Sequence, residues 1–300
     1  MAPAISTIRT VNGISRRVAQ WRSEGHKIAL VPTMGALHEG HLSLIAKAKD
    51  EGAEKIIVSI FVNPTQFGEG EDFDAYPRDE KGDLAKLTEA GVDVAYIPDA
   101  KQMFAPGFAT RIHVKGLTDG LCGASRPGHF DGVCTIVAKF LLQCAPDIAV
   151  FGEKDYQQLL TIKRMVADLD IPAEIVGAPI KREEDGLALS SRNAYLTKRQ
   201  RELAPLLQRT LQDMASDLAE GRPVEDATAA SSFRLESAGF KVDYLEVVDP
   251  ERLQTITGVV EGPARALVAA FLGKTRLIDN IAVRPKQRTR SRRNRKSEAE

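Results

Sequence analysis

Residues 31–41, VPTMGALHEGH, indicate the fold class most directly. This stretch follows a short aliphatic run, Lys27 to Val31, and it continues into an amphipathic segment from Leu42 to Lys49. A strand, a turn that contains glycine and a helix, in this order, present backbone N–H groups and a helix N-terminus to an anion. We therefore predict an α/β fold with a ligand site at this turn.

Two histidines, His38 and His41, lie three residues apart in this stretch. In the first turn of a helix, this spacing places both rings on one side. An imidazole donates a hydrogen bond when it is neutral and adds a positive charge when it is protonated. Gly35 and Gly40 would let a ligand approach the backbone closely. The pattern indicates a site for a phosphate group.

A zinc site and ordinary surface positions are the alternative interpretations of these histidines. The zinc-protease motif is His-Glu-x-x-His, and the sequence His-Glu-Gly-His misses it by one residue. No cysteine and no third histidine lie nearby in the chain. The strand–turn–helix context therefore favours nucleotide phosphates over a metal.

The composition is typical of a soluble globular protein. The chain has 300 residues, of which 43% are hydrophobic and 27% charged, which suits one large or two moderate domains. No apolar run approaches membrane-spanning length, and the N-terminal residues lack the apolar segment of a signal peptide. We therefore expect a cytoplasmic protein with no membrane partner.

The three cysteines are an odd number and include no Cys-x-x-Cys pair. This pattern argues against a disulfide framework and against a zinc knuckle. Cys134 and Cys144 fall within a predicted helix, where a buried thiol is the ordinary expectation.

The C-terminal segment, residues 284–300, contains eight Lys/Arg and two Asp/Glu in a chain whose formal net charge is zero. Such a basic segment is expected to be disordered. An arm that binds nucleic acid or a membrane surface is one interpretation, and a solvated terminus is the other. Because no aromatic residues separate the charges, we favour the solvated terminus and at most weak contact with nucleic acid.

Strand and helix signals alternate along the first part of the chain and then change order. We predict helices at 11–24 and 79–90, strands at 27–31, 55–62, 92–97, 147–151 and 173–178, and a further strand at 110–114. Beyond residue 185, helices at 196–222 and 225–238 precede strands at 240–248, 264–271 and 276–283. The pattern indicates a parallel-sheet domain over 1–184, a smaller α+β domain over 185–283 and the tail 284–300.

Polar clusters follow several predicted strands, where open α/β sheets bind their ligands. One cluster is Asn63 to Gly68, and another begins at Gly152. In the second, Lys154 is a compact charge suited to phosphate, and Asp155 could accept hydrogen bonds from ribose hydroxyls. A solvated helix start is the alternative for this second cluster.

Two further segments carry hydroxyl, guanidinium or imidazole groups. Ser190, Ser191 and Arg192 could form a phosphate-binding loop, or a serine could cap a helix. Arg126 and His129 lie in a glycine-rich segment that could be a mobile flap or a connecting loop. The Walker A loop and the Gly-x-Gly-x-x-Gly fingerprint are both absent from the sequence, so neither of the common nucleotide motifs identifies the site.

Four motifs in chain order carry a resemblance to a known family. PTMGALHEGH (32–41), FVNPTQFG (61–68), FGEKDYQQ (151–158) and LSSRN (189–193) resemble those of pantothenate synthetases, the pantoate–β-alanine ligases. The resemblance implies a Rossmann-like N-terminal domain, a smaller C-terminal lid and a homodimer. It also implies an ATP- and Mg²⁺-dependent ligation of pantoate with β-alanine, through pantoyl adenylate, that releases AMP and pyrophosphate.

The resemblance also implies site residues, although it names no metal ligands. The expected catalytic residues are His38, His41 and Lys154, with His41 interpreted as a hydrogen-bond donor to the phosphates. The expected ATP-binding residues are Met34, Gly35, His38, Gly40, His41, Gly152, Glu153, Lys154, Asp155, Lys181, Leu189, Ser190, Ser191 and Arg192. The expected residues for pantoate and β-alanine are Asn63, Gln66, Tyr76, Arg126, His129 and Gln158. Leu189 and Lys181 stand where many members have Met and Val, changes that we expect to be harmless.

Overall fold

The computed structural model describes residues 5–286. A six-stranded parallel sheet forms the larger part of the protein. Its strands are β1 Ser6–Ile8, β2 Ile28–Thr33, β3 Lys55–Ile60, β4 Val94–Tyr96, β5 Ile148–Gly152 and β6 Glu174–Ala178. Their spatial order is β1-β4-β3-β2-β5-β6, so the chain moves outward from β2 on one side and returns to β5 on the other. The carboxyl ends of β2 and β5 therefore form a topological switch point, where such sheets bind ligands.

Helices cover both faces of this sheet. The helices of this part of the chain are α1 Val11–Ser23, α2 Glu39–Asp50, α3 Glu80–Glu89, α4 Ala100–Met103, α5 Leu121–Ser125, α6 His129–Cys144 and α7 Tyr156–Asp168. Because side chains alternate along a strand, a strand that is covered on both faces needs an uninterrupted apolar run. In β2, Ile28 and Leu30 pack into the core on one face. Ala29 and Val31 pack into the core on the other face.

A second, smaller unit follows the parallel sheet. Its helices are α8 Lys198–Leu203, α9 Leu206–Ala219 and α10 Val224–Ser237. Its strands, β7 Phe240–Val248, β8 Ala264–Leu272 and β9 Thr275–Val283, form an antiparallel sheet in the order β7-β8-β9. The predicted fold class, a Rossmann-like domain followed by a smaller α+β domain, is thus confirmed. Since this unit has a core of its own, which begins at Leu187, we propose that the domain division falls near residue 185.

Some predicted elements differ from the structure. The strand prediction at 110–114 is wrong, because the main chain there makes no ladder and Ile112 N instead donates to Thr135 Oγ1 of α6 at 3.0 Å. The helix predicted over 196–222 is divided at Pro205, which has no N–H for a helical hydrogen bond. The short edge strand β1 was not predicted from the sequence. The predicted disorder of the tail concerns mostly residues 287–300, which lie outside the described residues.

The cysteines and the helix lengths follow the expectations from the sequence. Cys134 and Cys144 are buried free thiols, and burial raises the pKa of Cys134 to about 12. Among residues 5–286, no helix is both long and apolar enough to cross a membrane.

Candidate active site

A cavity of about 240 Å³ opens at the carboxyl ends of β2 and β5. The four motifs, which are far apart in the sequence, meet there. The residues that the sequence placed in the site and that line this cavity are Met34, His38, Gly40, His41, Asn63, Gln66, Tyr76, Arg126, His129, Gly152, Lys154, Asp155, Gln158, Lys181, Leu189, Ser190, Ser191 and Arg192. Gly35 and Glu153 are not in the lining. A position in the lining does not identify the ligand of a residue, so the roles of these residues stay predictions.

The two histidines form a capping arrangement at the start of α2. His38 is the N-cap residue, and its Nδ1 accepts from Gly40 N at 3.1 Å. The backbone N of His38 donates to Nδ1 of His41 at 3.3 Å. Because both Nδ1 atoms accept, each neutral ring carries its proton on Nε2. In the described part of the chain neither Nε2 has a hydrogen-bond partner, so both N–H groups are available to a ligand.

Burial keeps these rings neutral. It lowers the pKa of His41 to about 3, with further lowering by the neighbouring His38 and Lys154. It also lowers the pKa of His38 to about 4, again assisted by Lys154. Near neutral pH the rings therefore act as hydrogen-bond donors, and the positive charge of the site comes from its lysine and arginine side chains.

The turn that carries the histidines is held by α3. The buried carboxylate of Asp83 accepts from Ala36 N at 2.9 Å and from Leu37 N at 2.7 Å. Lys86 Nζ donates to Leu37 O at 2.7 Å. Gly35 has φ +84°, and a Cβ there would lie 3.0 Å from Asp83 Oδ2, so this glycine fits the turn against α3. The sequence analysis missed Asp83, because nothing in a helix pattern shows which carboxylate faces a distant loop.

A second turn, after β3, is held by α6. Asn63 is buried, and its Nδ2 donates to Gly132 O at 3.2 Å and to Gln66 Oε1 at 3.1 Å. A Cβ at Gly132 would lie 2.2 Å from Thr65 O, so only glycine permits this approach of helix and turn. Asn63 therefore orients Gln66, in addition to lining the cavity.

Lys154 and Asp155 begin the segment after β5. Their side chains are 3.5 Å apart, Nζ to Oδ2. Burial acts to raise the pKa of Asp155, but the charges of Lys154 and Arg192 outweigh it and hold that pKa below its usual value. Glu153 points away from the cavity, with Oε2 3.3 Å from Arg265 Nη2 of the C-terminal sheet.

An acidic loop, residues 69–78, pairs with both arginines of the cavity. Glu71 accepts from Nε and Nη2 of Arg126, both at 2.6 Å. Asp72 accepts from Nε and Nη2 of Arg192 at 2.9 and 2.8 Å. These bidentate bonds engage the guanidinium edges that would otherwise face a phosphate. The loop carboxylates therefore compete with any anionic ligand that uses these two arginines.

The segment with Arg126 and His129 is anchored by the main chain of the second turn. Arg126 Nη2 donates to Gln66 O at 3.2 Å, and His129 Nδ1 lies 2.7 Å from the same oxygen. Burial lowers the pKa of His129 to about 4, so the neutral ring donates from Nδ1. Of the two interpretations of this segment, these contacts agree better with a connecting loop than with a flap.

The hydroxyl cluster joins the two halves of the chain. Ser191 Oγ donates to Ala36 O at 3.2 Å, which ties the segment after Leu189 to the histidine turn. Ser190 Oγ accepts from Arg192 N at 3.3 Å, so it acts locally as a cap. Leu189 N donates to Lys181 O at 3.0 Å, which places these two segments side by side.

An apolar wall completes the cavity and was not assigned to the site from the sequence. It consists of side chains from α6, β5 and the end of β3, namely Phe61, Val133, Ile136, Val137, Phe140 and Phe151. A residue that faces a cavity and one that faces the core have the same helical periodicity, so no sequence signal separates them. An apolar cavity with a few convergent polar groups is the usual form of a small-molecule site.

No cluster of three His, Cys, Asp or Glu side chains suited to a metal ion occurs in residues 5–286. Asp155 is the single carboxylate in the lining of the cavity formed by these residues. Residues 5–286 thus present no preformed oxygen cage for Mg²⁺, an ion that commonly binds through one carboxylate, waters and substrate phosphates.

The fold and the site together define a Rossmann-like α/β protein whose switch-point cavity suits a phosphate-bearing ligand. The model of the pantoate-beta-alanine ligase family matches residues 6–282. The chain therefore belongs to that family of enzymes, which join pantoate to β-alanine to form pantothenate.

Individual relatives agree with this assignment. The pantothenate synthetase of Rhodospirillum rubrum is 54% identical over 93% of this chain and 99% of its own length. The crystal structure of the Thermus thermophilus pantothenate synthetase has a TM-score of 0.88 at 47% identity, covering 94% of this chain and 100% of that one. The pantoate-beta-alanine ligase of Francisella tularensis, complexed with beta-gamma ATP and β-alanine, has a TM-score of 0.78 at 36% identity, covering 93% and 97%.

Proposed function

We propose that this enzyme makes pantothenate in two steps through pantoyl adenylate. In the first step, a carboxylate oxygen of pantoate attacks the α-phosphorus of ATP, and pyrophosphate leaves. In the second, the neutral amine of β-alanine attacks the acyl carbon, AMP leaves, and the amine gives up a proton. The observation that carries the proposal is the meeting of two neutral imidazole donors, Lys154 and two arginines beside an apolar wall.

The groups of the histidine turn would stabilise charge on the phosphates. The free Nε2–H groups of His38 and His41 donate without needing protonation, so they serve over a wide pH range. Lys154 adds a full positive charge near the same oxygens. Preorganised donors of this kind stabilise the charge that develops in phosphoryl-type transfer, and the chemistry needs no covalent enzyme group.

The rest of the nucleotide would lie along the segments after β5 and β6. Asp155, whose carboxylate is ionised, would accept from the ribose hydroxyls, next to the backbone of Gly152. The serine and arginine cluster, Ser190 to Arg192, would contact the phosphates once Asp72 releases the guanidinium. Lys181 and Leu189 would border the adenine through their backbone, together with Met34.

Pantoate would lie against the apolar wall, with its hydroxyl and carboxylate groups toward Gln66 and Gln158. A side-chain amide offers both a donor and an acceptor, as a hydroxy acid requires. Asn63 would act mainly through Gln66, since its own amide is engaged with Gly132. We place Tyr76, Arg126 and His129 at the border of the two small substrates.

We propose that Mg²⁺ enters with the triphosphate, where it would neutralise phosphate charge. Since Asp155, the one carboxylate among the described lining residues, is assigned to the ribose, the metal would be held by phosphate oxygens and waters. No step of the reaction is assigned to the metal. A homodimer and a cytoplasmic location remain predictions, as does at most weak contact of the basic tail with nucleic acid.

The test is pantoate-dependent exchange of labelled pyrophosphate into ATP, measured with the full-length protein and Mg²⁺ but without β-alanine. We expect exchange with pantoate and none when β-alanine replaces pantoate. Addition of both acids should produce AMP and pantothenate. Folded protein that makes pantothenate without exchange, or that releases ADP, would refute the adenylate pathway.

A further inference from the structure

Asn280 of β9 connects the C-terminal sheet to the segment that carries Lys154. Its side chain is buried, with 2% of the residue exposed. Nδ2 donates to the carbonyl oxygens of Glu153 and Lys154, at 2.9 and 3.0 Å. Oδ1 accepts from Arg265 Nε at 2.7 Å. A residue 126 positions away in sequence thus holds the main chain where Lys154 enters the cavity.

The chemistry of this contact is specific to an asparagine. Two carbonyl oxygens need two donors from one small group, and the amide NH₂ supplies both. An aspartate of the same shape has no donor when ionised, and a serine has one hydroxyl proton on a shorter side chain. The guanidinium of Arg265 fixes the orientation of the amide, because it can bond only to the oxygen.

Neighbouring contacts make this part of β9 rigid. Arg265 stacks on Tyr156, with Cζ 3.7 Å from the ring centroid. The adjacent residue, Asp279, accepts from Nη1 and Nη2 of Arg182 at 2.6 and 2.9 Å, and its own carboxylate also accepts from Asn280 N at 2.7 Å. Arg182 follows Lys181, so two successive residues of β9 support two segments that line the cavity.

We propose that Asn280 is a positioning residue, which holds the main chain at Glu153 and Lys154 so that the Lys154 ammonium is directed at the phosphates. A functional group that must be placed accurately needs such support from neighbouring hydrogen bonds. The proposal rests on the phosphate role of Lys154 proposed above. Under this proposal, the C-terminal sheet supports the segment that carries Lys154 into the nucleotide site.

The test measures the affinities of the full-length protein for ATP and for adenosine by calorimetry. The variants are Asn280→Asp, Lys154→Ala and the two combined. We expect Asn280→Asp to weaken ATP binding about tenfold, the size of a coupling between contacting residues, and to weaken adenosine binding less, because only ATP carries the phosphates that Lys154 would contact. Because Asn280 acts through Lys154, we expect no further loss when Asn280→Asp is added to Lys154→Ala.

A matched control separates positioning from loss of stability. Leu277 lies in the same strand and is 4% exposed within the C-terminal core. Leu277→Ala should lower the unfolding midpoint because it leaves a cavity, while the affinity for ATP stays at the wild-type value. If Asn280→Asp does not fold, Asn280→Ser, which retains one donor, replaces it. We then expect Asn280→Ser to weaken ATP binding more than adenosine binding and to add no further loss to Lys154→Ala.

The outcomes distinguish the two proposals. Wild-type ATP affinity in Lys154→Ala would overturn the phosphate role of Lys154 and the positioning role with it. If Lys154→Ala weakens ATP binding but the losses multiply in the double variant, the role of Lys154 stands and the positioning proposal fails. An equal loss of adenosine and ATP binding in the Asn280 variants would also overturn positioning.

Discussion

The two turns that would hold the phosphates lie at the ends of neighbouring strands, yet they are supported from different domains. The histidine turn after β2 is held mainly from within the parallel-sheet domain, by Asp83 and Lys86 of α3, with one further hydrogen bond from Ser191. The turn after β5 is held by Asn280 and Arg265 of the C-terminal sheet. A change in the arrangement of the two domains should therefore disturb Lys154 more than the histidines.

The turns also differ in charge. Burial keeps His38 and His41 neutral, whereas Lys154 is a cation. Hydrogen bonds that involve an ionised group are roughly twice as strong as neutral ones. The histidine turn would therefore mainly orient the phosphates, and Lys154 would mainly compensate their charge. Variants of each turn can test these two roles separately.

The largest effect is expected when the cation is removed. Lys154→Ala should lower pantoate-dependent pyrophosphate exchange by about 10²–10³-fold, the cost of losing a single group that stabilises developing charge. His41→Ala should cost less, because the lost donor is neutral. Lys163→Ala, on the exposed side of α7, is the matched control and should keep wild-type exchange. A larger loss in His41→Ala than in Lys154→Ala would contradict the division of charge.

A smaller effect is expected when the support of the histidine turn is removed. Asp83→Ala leaves the N–H groups of Ala36 and Leu37 without their partner, which should lower the free energy of unfolding by about 1–3 kcal/mol. Amide hydrogen exchange should rise in residues 34–41 and stay unchanged in residues 153–158. Glu80→Ala, on the exposed side of the same helix, should change neither region. Equal changes in both regions would show that the two turns share one support.

A favourable effect of a few-fold is expected from the acidic loop. Asp72→Asn removes the carboxylate that competes for Arg192, and since this pair is partly exposed, ATP affinity should rise by about 1 kcal/mol or less. Calorimetry at two salt concentrations measures the ATP affinity. Asp74→Asn, at an exposed residue of the same loop, is the control and should keep the wild-type affinity. Weaker ATP binding in Asp72→Asn would mean that Asp72 holds Arg192 in the position that ATP needs, and that it does not compete with ATP for this arginine.

The smallest effect is expected from pH. With the pKa of His38 lowered to about 4 and that of His41 to about 3, neither ring should change charge between pH 8 and 5.5 in the nucleotide-free protein. Ring signals followed by NMR should therefore stay constant over this range, and a midpoint near 6.5 for either ring would refute the neutral-donor assignment. Because these pKa values lie below the unfolded value, the stability that the rings contribute is complete above about pH 6.5 and is lost as the pH falls through about 4 for His38 and about 3 for His41.

Much of the site could be predicted because its chemistry is concentrated in short motifs. Residues 31–41 combine a buried strand, a turn with glycine and a helix start, and each of these leaves a local pattern. Position at the end of a strand then marked Lys154 and Asp155 as ligand candidates. Asp83 and Asn280 lie in no local sequence pattern that marks them as site residues, since each supports a turn that is distant in sequence. Only the packing of helices and domains places them next to these turns.

The same reasoning explains the wrong element predictions. Residues 110–114 have the composition of a strand, but they lie against α6 with no neighbouring strand to pair with. Strand propensity describes a fit to a pleated surface and cannot supply a partner.

Local periodicity and motifs read in order were sufficient for the alternation of strands and helices, for the family and for most of the polar residues that meet at the cavity. The tertiary structure alone decided the charge state of the two imidazoles, the pairing of both arginines with the acidic loop and the hold of the C-terminal sheet on Lys154. These features depend on burial and on contacts between distant segments, and local sequence contains neither.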